Sequence, residues 1–387
     1  MPDSFAGMAE DPAPFRVRVP QSDLDDLHRR LAATRWPDPF EDPGWELGIP
    51  VAEVQELARC WRLEFDWRSQ EERLNGFPQF TTEIDGANVH FIHRRSPEPA
   101  AIPLLLTHGW PGSIVEFLDL VGPLSDPRAY GGDPATAFHV IVPSVPGFAF
   151  SGPTRDRGWG PARTARAWAE LMTKLGYRRF GTHGGDWGAL ISRELGVQFP
   201  DRVLGAHVTM LPSAVARSEA DLEGLEDREA GLRSLDKARA FQQTGLGYAM
   251  IQSTKPQTLA IGLADSPAGQ LAWIAEKFRS FSNTGHDLID RDDLLANVSV
   301  YWFTGTAASS SRIYAYQDVR WGAQPSISTV PTAVAVFPDD IGLPLRPLAE
   351  RSDRIVRWTE FPRGGHFPAL EEPDAIIGDL RAFFASL

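Results

Sequence analysis

Cysteine is almost absent from this chain. Cys60 is the single cysteine among 387 residues, so no disulfide can form within the chain. The apolar residues, 42% of the total, must therefore stabilise the fold through their burial. A chain without disulfides suits a reducing compartment, and we expect a cytoplasmic location.

Long apolar runs and clusters of basic residues are also lacking. No segment approaches the roughly 18–20 apolar residues that span a bilayer, and residues 1–15 lack the basic start and apolar core of a signal peptide. The formal net charge is −13, and the lysines among the 38 basic residues are Lys174, Lys237, Lys255 and Lys277. We therefore expect no membrane partner and no nucleic-acid partner. The preference for arginine over lysine is typical of a GC-rich bacterial genome.

The residue pattern changes along the chain and predicts an α/β fold. Residues 1–85 combine amphipathic helical segments with a short alternating stretch at 15–19, so we expect an N-terminal extension wrapped on the core. Strand-like and helix-like segments alternate over 86–214, which predicts a mostly parallel sheet with helices on both faces. Helical patterns fill 215–312, which predicts an inserted cap, and the sheet resumes over 313–387.

An acid replaces the expected serine in a glycine-rich turn. The stretch Gly-Gly-Asp-Trp-Gly at 184–188 follows a predicted strand and precedes a predicted helix. Its spacing is that of G-x-S-x-G, the strand-to-helix turn that presents a serine nucleophile in the α/β-hydrolase fold. We therefore expect the α/β-hydrolase fold, with Asp186 as a carboxylate nucleophile.

Two further positions complete a triad in the chain order of this fold, which is nucleophile, acid and base. Asp339 and Asp340 follow the predicted strand "AVAVF", and His366 lies in a glycine-rich loop after the last strand. All of these positions are carboxyl ends of parallel strands, where open α/β sheets place their sites. The order and spacing do not separate Asp339 from Asp340.

The loop "HGWPGS" at 108–113 directly follows an apolar strand, which is the place of the oxyanion-hole loop in this fold. We expect one backbone N–H donor from Trp110 and a second from Trp187, the residue after the nucleophile. We also expect Trp110, Pro111 and Trp187 to line the substrate site.

The histidines do not indicate a metal site. His108 and His183 flank the motifs, and we interpret both as structural residues. The remaining histidines outside the triad show no H-x-x-x-H spacing with an acid. We therefore expect neither a metal ion nor an organic cofactor.

A carboxylate nucleophile predicts a leaving group on saturated carbon. Attack by Asp186 leaves an ester that water activated by His366 can hydrolyse, whereas a serine would leave an ether. Epoxides and alkyl halides are the two obvious substrate classes. An epoxide oxygen needs a proton, which a tyrosine phenol can supply. Tyr248 and Tyr314 lie in or beside the predicted cap, but composition alone leaves both substrate classes open.

Motifs along nearly the whole chain resemble those of the microsomal-type epoxide hydrolase family. They are, in order, "LHRRLAATRWPD", "HGWPGS", "GGDWGA", "GYAMIQSTKP", "NVSVYWFTGTAASSSRIY", "VPTAVAVFPDD" and "RGGHFPALEEP". The resemblance implies that Asp186 is the nucleophile, His366 the base that activates water, and Tyr248 with Tyr314 the ring-opening acids. The family's acid follows Phe-Pro-x, which selects Asp340 as the triad acid.

The same resemblance implies a cofactor-independent epoxide hydrolase that takes a small-molecule epoxide and water to a vicinal diol. The chain lacks the N-terminal hydrophobic anchor of membrane-bound members, so it looks like a soluble bacterial member, active in detoxification or natural-product biosynthesis. A homodimer is left open. The alternatives are a haloalkane dehalogenase, which would not need two cap tyrosines, and a catalytically silent binding protein, against which the intact triad argues.

Overall fold

The computed structural model describes residues 12–38, 44–282, 289–316 and 326–387, and within them it contains one sheet of nine strands. The strands are β1 (Ala13–Phe15), β2 (Gln79–Ile84), β3 (Ala87–Arg94), β4 (Ile102–Thr107), β5 (Phe138–Pro143), β6 (Phe180–Gly184), β7 (Val203–Val208), β8 (Ser328–Val336) and β9 (Asp353–Glu360).

Their order across the sheet is β1-β2-β3-β5-β4-β6-β7-β8-β9. The pairs from β1 to β5 are antiparallel, and the pairs from β5 to β9 are parallel. Because parallel strands need crossover connections, helices lie between them along the chain. This mostly parallel sheet is the α/β-hydrolase architecture that the sequence predicted.

Fifteen α-helices accompany the sheet in the described ranges, besides short 3₁₀ and π helices. They are α1 (Gln21–Ala32), α2 (Val51–Leu63), α3 (Trp67–Asn75), α4 (Leu118–Ser125), α5 (Pro161–Lys174), α6 (Asp186–Gln198), α7 (Arg228–Ala240), α8 (Gly247–Thr254), α9 (Pro256–Asp265), α10 (Pro267–Ser280), α11 (Arg291–Thr304), α12 (Ala307–Ser310), α13 (Arg346–Ala349), α14 (Pro368–Glu371) and α15 (Pro373–Ala385). Across this described part of the chain, none of them combines the length and apolar character needed to cross a bilayer.

Both faces of the sheet are buried, as the alternation in β4 illustrates. Leu105 packs into a core cluster with Trp168 of α5. Leu104 and Leu106 point the other way, into a cluster with Leu380 of α15. Successive side chains of a strand point to opposite faces, so a strand covered by helices on both sides is apolar at every position. This is why residues 102–106 form a continuous apolar run.

The N-terminal extension differs from the sequence prediction in two places. The strand is at Ala13–Phe15 rather than at 15–19, because side chains of α3 satisfy the backbone that follows it. Asn75 accepts from the Val17 N–H at 2.9 Å, and a carboxylate oxygen of Glu71 accepts from the Val19 N–H at 2.6 Å. The second difference is the strand β2, which the pattern of residues 1–85 does not predict. Its Thr-Thr-Glu centre hides the alternation that normally indicates a strand.

Helices α7 to α12 lie between β7 and β8 in the chain, where the sequence analysis expects the cap. The extension also reaches this region. The indole N–H of Trp61 in α2 donates to the Ser299 hydroxyl of α11 at 2.8 Å, and both side chains are buried. A buried indole N–H without a partner would be costly, so this bond ties the extension to the helices above the sheet.

Candidate active site

Asp186 lies at the tight turn between β6 and α6. Gly185 precedes the helix, and Asp186 has a φ of 48°, an uncommon value for a residue with a side chain. A Cβ at Gly188 would overlap the carbonyl oxygen of Thr107, so only glycine permits this close packing of α6 on β4. The strained turn projects the Asp186 carboxylate beyond the end of the sheet, as the Gly-x-Asp-x-Gly spacing predicted.

The loop after β4 contacts this carboxylate directly. The Trp110 backbone N–H donates to the Asp186 Oδ1 at 2.7 Å. Gly109 makes the approach feasible, because a Cβ there would overlap the Asp186 side chain. Trp110 therefore occupies the place expected for an oxyanion-hole donor. Its N–H bonds to Oδ1, and the other carboxylate oxygen, Oδ2, does not receive this hydrogen bond.

Helices above the sheet anchor this loop. The Asn297 amide donates to the Pro111 carbonyl at 2.8 Å, and the Tyr301 hydroxyl donates to the Gly112 carbonyl at 2.7 Å. Both donors belong to α11 and are buried. The loop that carries Trp110 is thus held by two buried hydrogen bonds rather than by its own sequence alone.

Trp187 follows Asp186 as the second residue of α6. In the described part of the chain no hydrogen bond joins its backbone N–H to Asp186. Its position in the first helical turn leaves this N–H without an intrahelical acceptor, as for any residue there. Its role as the second oxyanion donor stays a prediction.

His366 lies between two carboxylates. Its Nδ1 is 2.6 Å from the Asp340 Oδ1, and its Nε2 is 3.5 Å from the Asp186 Oδ2. The Asp340 carboxylate also accepts from the Ile341 N–H at 2.7 Å, which holds it in place. A carboxylate beside Nδ1 requires a proton on that nitrogen, and the ring then points Nε2 toward Asp186. The structure therefore brings together Asp186, His366 and Asp340 in triad geometry.

Asp339 does not reach this histidine in the same way. Its backbone N–H donates to the Gly364 carbonyl at 3.1 Å, whereas Asp340 is buried against the imidazole. The geometry thus separates two neighbouring acids that the order along the chain could not separate.

The charge of His366 depends on its two acidic neighbours. Burial opposes the charged form, but the carboxylates of Asp340 and Asp186 outweigh it and raise the pKa of the His366 imidazole to about 10. In the free protein at neutral pH His366 is therefore the imidazolium cation, with a proton on each ring nitrogen.

Tyr248 and Tyr314 meet above Trp110, in the loop at 108–113. Their hydroxyl oxygens are 3.4 Å apart. The Tyr248 ring stacks on the Trp110 indole, with centroids 5.0 Å apart, and the Tyr314 ring lies edge-on to the indoles of Trp110 and Trp187, at 5.8 and 4.8 Å. Residues separated by 66 positions in the sequence thus form one aromatic group over the loop.

Both phenols keep their protons at neutral pH. Burial, followed by the nearby Asp186 carboxylate, raises the pKa of Tyr248 above its usual value. Burial, then Tyr248 and Asp186, raises the pKa of Tyr314 as well. A neutral phenol can donate a hydrogen bond and then a proton, as ring opening of an epoxide requires.

A further acid borders the site that the sequence analysis did not single out. Glu116 lies in the 3₁₀ turn Ile114–Phe117, and burial, with a smaller contribution from Asp186, raises the pKa of its carboxyl to about 8 despite the opposing effect of His366. The sequence contains one signal for it. Glu116 is the acid in an otherwise apolar run, "IVEF", and an acid in such a run is buried with the apolar residues around it.

The other histidines near the motifs have partners within the fold. His108 accepts from the Val145 N–H at 3.2 Å through Nε2. His183 and His207 share a ring-to-ring contact at 2.9 Å, and His207 is 2.9 Å from the Asp379 carboxylate. Where the chain is described, no group of three or more His, Cys, Asp or Glu residues could hold a metal ion.

Comparison with known proteins identifies two families in the chain. Residues 12–117 match the family described as "Epoxide hydrolase N terminus", and residues 102–312 match the one described as "alpha/beta hydrolase fold". The second match covers more than half of the chain.

Individual relatives share nearly the whole chain. It is 43% identical to a candidate epoxide hydrolase of Stigmatella aurantiaca over 97% of this chain and 85% of the relative. It is 35% identical to epoxide hydrolase 1 of Sus scrofa over 100% of this chain and 92% of the relative. The solved structure of the Aspergillus niger epoxide hydrolase superposes with a TM-score of 0.86 at 32% identity, covering 98% and 97% of the two chains. These relatives share both the N-terminal extension and the hydrolase fold, and the chain therefore belongs to the microsomal-type epoxide hydrolase family and is an epoxide hydrolase.

Proposed function

We propose that this enzyme converts its epoxide into a vicinal diol through a covalent ester on Asp186. His366 and Asp340 serve the hydrolysis of that ester, and Tyr248 and Tyr314 serve the ring opening. The observation that carries the proposal is the position of the Asp186 carboxylate. It accepts from the Trp110 N–H at 2.7 Å and lies 3.5 Å from His366, below the pair of phenols that packs on Trp110.

The first step forms the ester. Trp110 holds the Oδ1 of Asp186, so Oδ2 attacks an epoxide carbon and the bond between that carbon and the ring oxygen breaks. The oxygen leaves on the side opposite the attack and takes a proton from Tyr248 or Tyr314. The remaining phenol donates a hydrogen bond to the same oxygen, which lowers the barrier to ring opening.

Ester formation also switches the protonation state of His366. The charge of Asp186 is one cause of the raised imidazole pKa, and the ester carries no charge. The pKa of His366 therefore falls once the ester has formed. The proton that His366 releases replaces the one that the phenol gave, so both phenols are neutral again and His366 is a base.

The second step releases the diol. Neutral His366 takes a proton from water as the water oxygen attacks the ester carbonyl, and the Trp110 N–H stabilises the resulting oxyanion. The ester C–O bond then breaks, and the leaving diol oxygen takes the proton from His366. Asp186 is left as a carboxylic acid and passes its proton to His366, which restores the ion pair of the free enzyme.

The named relatives are epoxide hydrolases and give no support to a haloalkane dehalogenase or to a silent binding protein. The divisions at 1–85, 86–214, 215–312 and 313–387 are part of this proposal. It is supported by helices α7 to α12, which lie within 215–312, between β7 and β8. The cytoplasmic location and the homodimer stay predictions.

A single turnover in ¹⁸O-labelled water tests the nucleophile. We expect the first diol to carry unlabelled oxygen at the attacked carbon, because that oxygen comes from Asp186, and we expect the label to enter the enzyme. Direct appearance of label in the first diol would mean that water attacks the epoxide itself. In His366→Gln the ester should accumulate, and the intact protein mass should increase by the mass of the epoxide.

A further inference from the structure

A small cavity lies beside the nucleophile. Its volume is about 10 Å³, and its lining includes Asp186, His366 and Glu116. A cavity needs roughly 10–15 Å³ to hold one water molecule, which also needs two to four polar partners. The size of this cavity thus matches a single water.

The lining supplies those polar partners. His183 and Thr209 complete the polar part of the lining. The Nε2 of His366 is buried, lies 3.5 Å from the Asp186 Oδ2 and makes no closer polar contact among the described residues. Once Asp186 is an uncharged ester, this nitrogen is available to a group that enters the cavity.

The fold makes room for the Glu116 carboxyl at this position. A Cβ at Gly112 would overlap the Glu116 Oε1, just as a Cβ at Gly109 would overlap the carboxylate of Asp186. Two glycines of the loop 108–113 therefore accommodate two acids that line the cavity. The aromatic side chain of Phe117, next to Glu116, also lines the cavity and limits its size.

We propose that Glu116 is a further catalytic residue, which holds the hydrolytic water between itself and His366 for attack on the Asp186 ester. One O–H of this water donates to the Nε2 of His366, and the other donates to the carbonyl oxygen of the neutral Glu116 carboxyl. The water lone pair then faces the ester carbon. The proton released on attack goes to His366, so Glu116 keeps its own proton throughout.

A neutral Glu116 carboxyl is suited to holding the hydrolytic water. The titratable groups around Glu116 are Asp186, His183, His366 and Tyr301. Burial raises the pKa of the Glu116 carboxyl to about 8, so it is mostly neutral at pH 7. An ionised carboxylate at this place would repel the oxyanion that develops on the Asp186 carbonyl.

The test compares Glu116→Gln with Glu116→Met by rapid quench. Glutamine keeps a carbonyl acceptor of the same reach, whereas methionine keeps the volume without the acceptor. We expect Glu116→Gln to hydrolyse the ester within about 3-fold of wild type at pH 7, and Glu116→Met to hydrolyse it about 10- to 100-fold more slowly, because the water is misplaced. Ester formation should stay within about 3-fold of wild type in both, so Glu116→Met accumulates the ester. Glu229→Met, on an exposed face of α7, controls for the substitution itself.

The inference rests on the proposed roles of Asp186 and His366, and the experiment separates the two failures. Absence of an ester in His366→Gln would contradict the proposed function. A trapped ester in His366→Gln together with wild-type hydrolysis in Glu116→Met would overturn the role of Glu116 alone. Equal loss of hydrolysis in Glu116→Gln and Glu116→Met would also overturn the proposed role. A carbonyl acceptor at position 116 would then not be sufficient to hold the water.

Discussion

The indole ring of Trp110 stacks on the phenol ring of Tyr248, with centroids 5.0 Å apart and planes 13° from parallel. The backbone N–H of the same residue donates to the Asp186 Oδ1 at 2.7 Å. One residue therefore contacts both the proposed nucleophile and one of the proposed acids. The packing of Trp110 therefore links the position of the Tyr248 ring to that of the Asp186 carboxylate.

This relationship predicts the effect of changing the indole. Trp110→Phe keeps the backbone donor and an aromatic face for Tyr248, so ester formation should slow by less than about 10-fold. Trp110→Leu keeps the donor but loses the stacking, and the misplaced phenol should slow ester formation by about 10- to 100-fold. Stopped-flow fluorescence in a single turnover measures the step. Equal rates in the two variants would show that the stacking does not position Tyr248.

The two adjacent acids should behave differently. Asp340→Asn removes the charge that orients His366 and stabilises its protonated form, so ester hydrolysis should fall by about 10²–10⁴-fold. Asp339→Asn should stay within about 2-fold, because the Asp339 N–H, not its carboxyl, makes the bond to Gly364. Rates of diol release from the preformed ester give the comparison. Slow diol release in Asp339→Asn together with a wild-type rate in Asp340→Asn would show that Asp339, and not Asp340, is the triad acid.

The phenol pair predicts partial redundancy. Tyr248→Phe or Tyr314→Phe should each slow ring opening, and the double variant should lose about 10²–10⁴-fold or more, since no acid then remains for the epoxide oxygen. Hydrolysis of an ester that has already formed should suffer less. Tyr130→Phe is the matched control, because Tyr130 is exposed. Rapid epoxide turnover by a folded double variant would exclude these phenols as the acids.

The partly buried acid Glu116 predicts a dependence of stability on pH. Its pKa is raised from 4.5 in the unfolded chain to about 8 in the fold. Between these values the unfolded chain releases a proton that the folded protein keeps, so the contribution to stability is present below pH 4.5 and is lost as the pH rises through 8. Relative to Glu116→Gln, the wild type should therefore lose a few kcal/mol of unfolding free energy from pH 5 to pH 8. Urea unfolding at both pH values measures this loss, and an equal change in the two proteins would contradict a neutral Glu116.

Much of the site could be predicted from the sequence because its strongest signals are local. The turn that carries Asp186 needs glycine at 184 and 188 for backbone packing, so it has a fixed spacing whatever surrounds it. His366 could be found for a related reason. The parallel strands of an α/β sheet end at one edge, and the chain order of the triad places the base in the last loop there.

The sequence by itself thus determined the parallel sheet, the nucleophile turn and the class of chemistry, because these depend on neighbouring residues and on periodicity. Tertiary structure decided three other matters. It placed Asp340, the acid that the family resemblance implies, 2.6 Å from the imidazole, which the order along the chain does not determine. It brought the Tyr248 and Tyr314 hydroxyls within 3.4 Å of each other across the cap. It also placed the partly buried Glu116 beside Asp186, in the space that Gly112 leaves. This position depends on elements far apart in the chain, and the removal of water from the carboxyl raises its pKa.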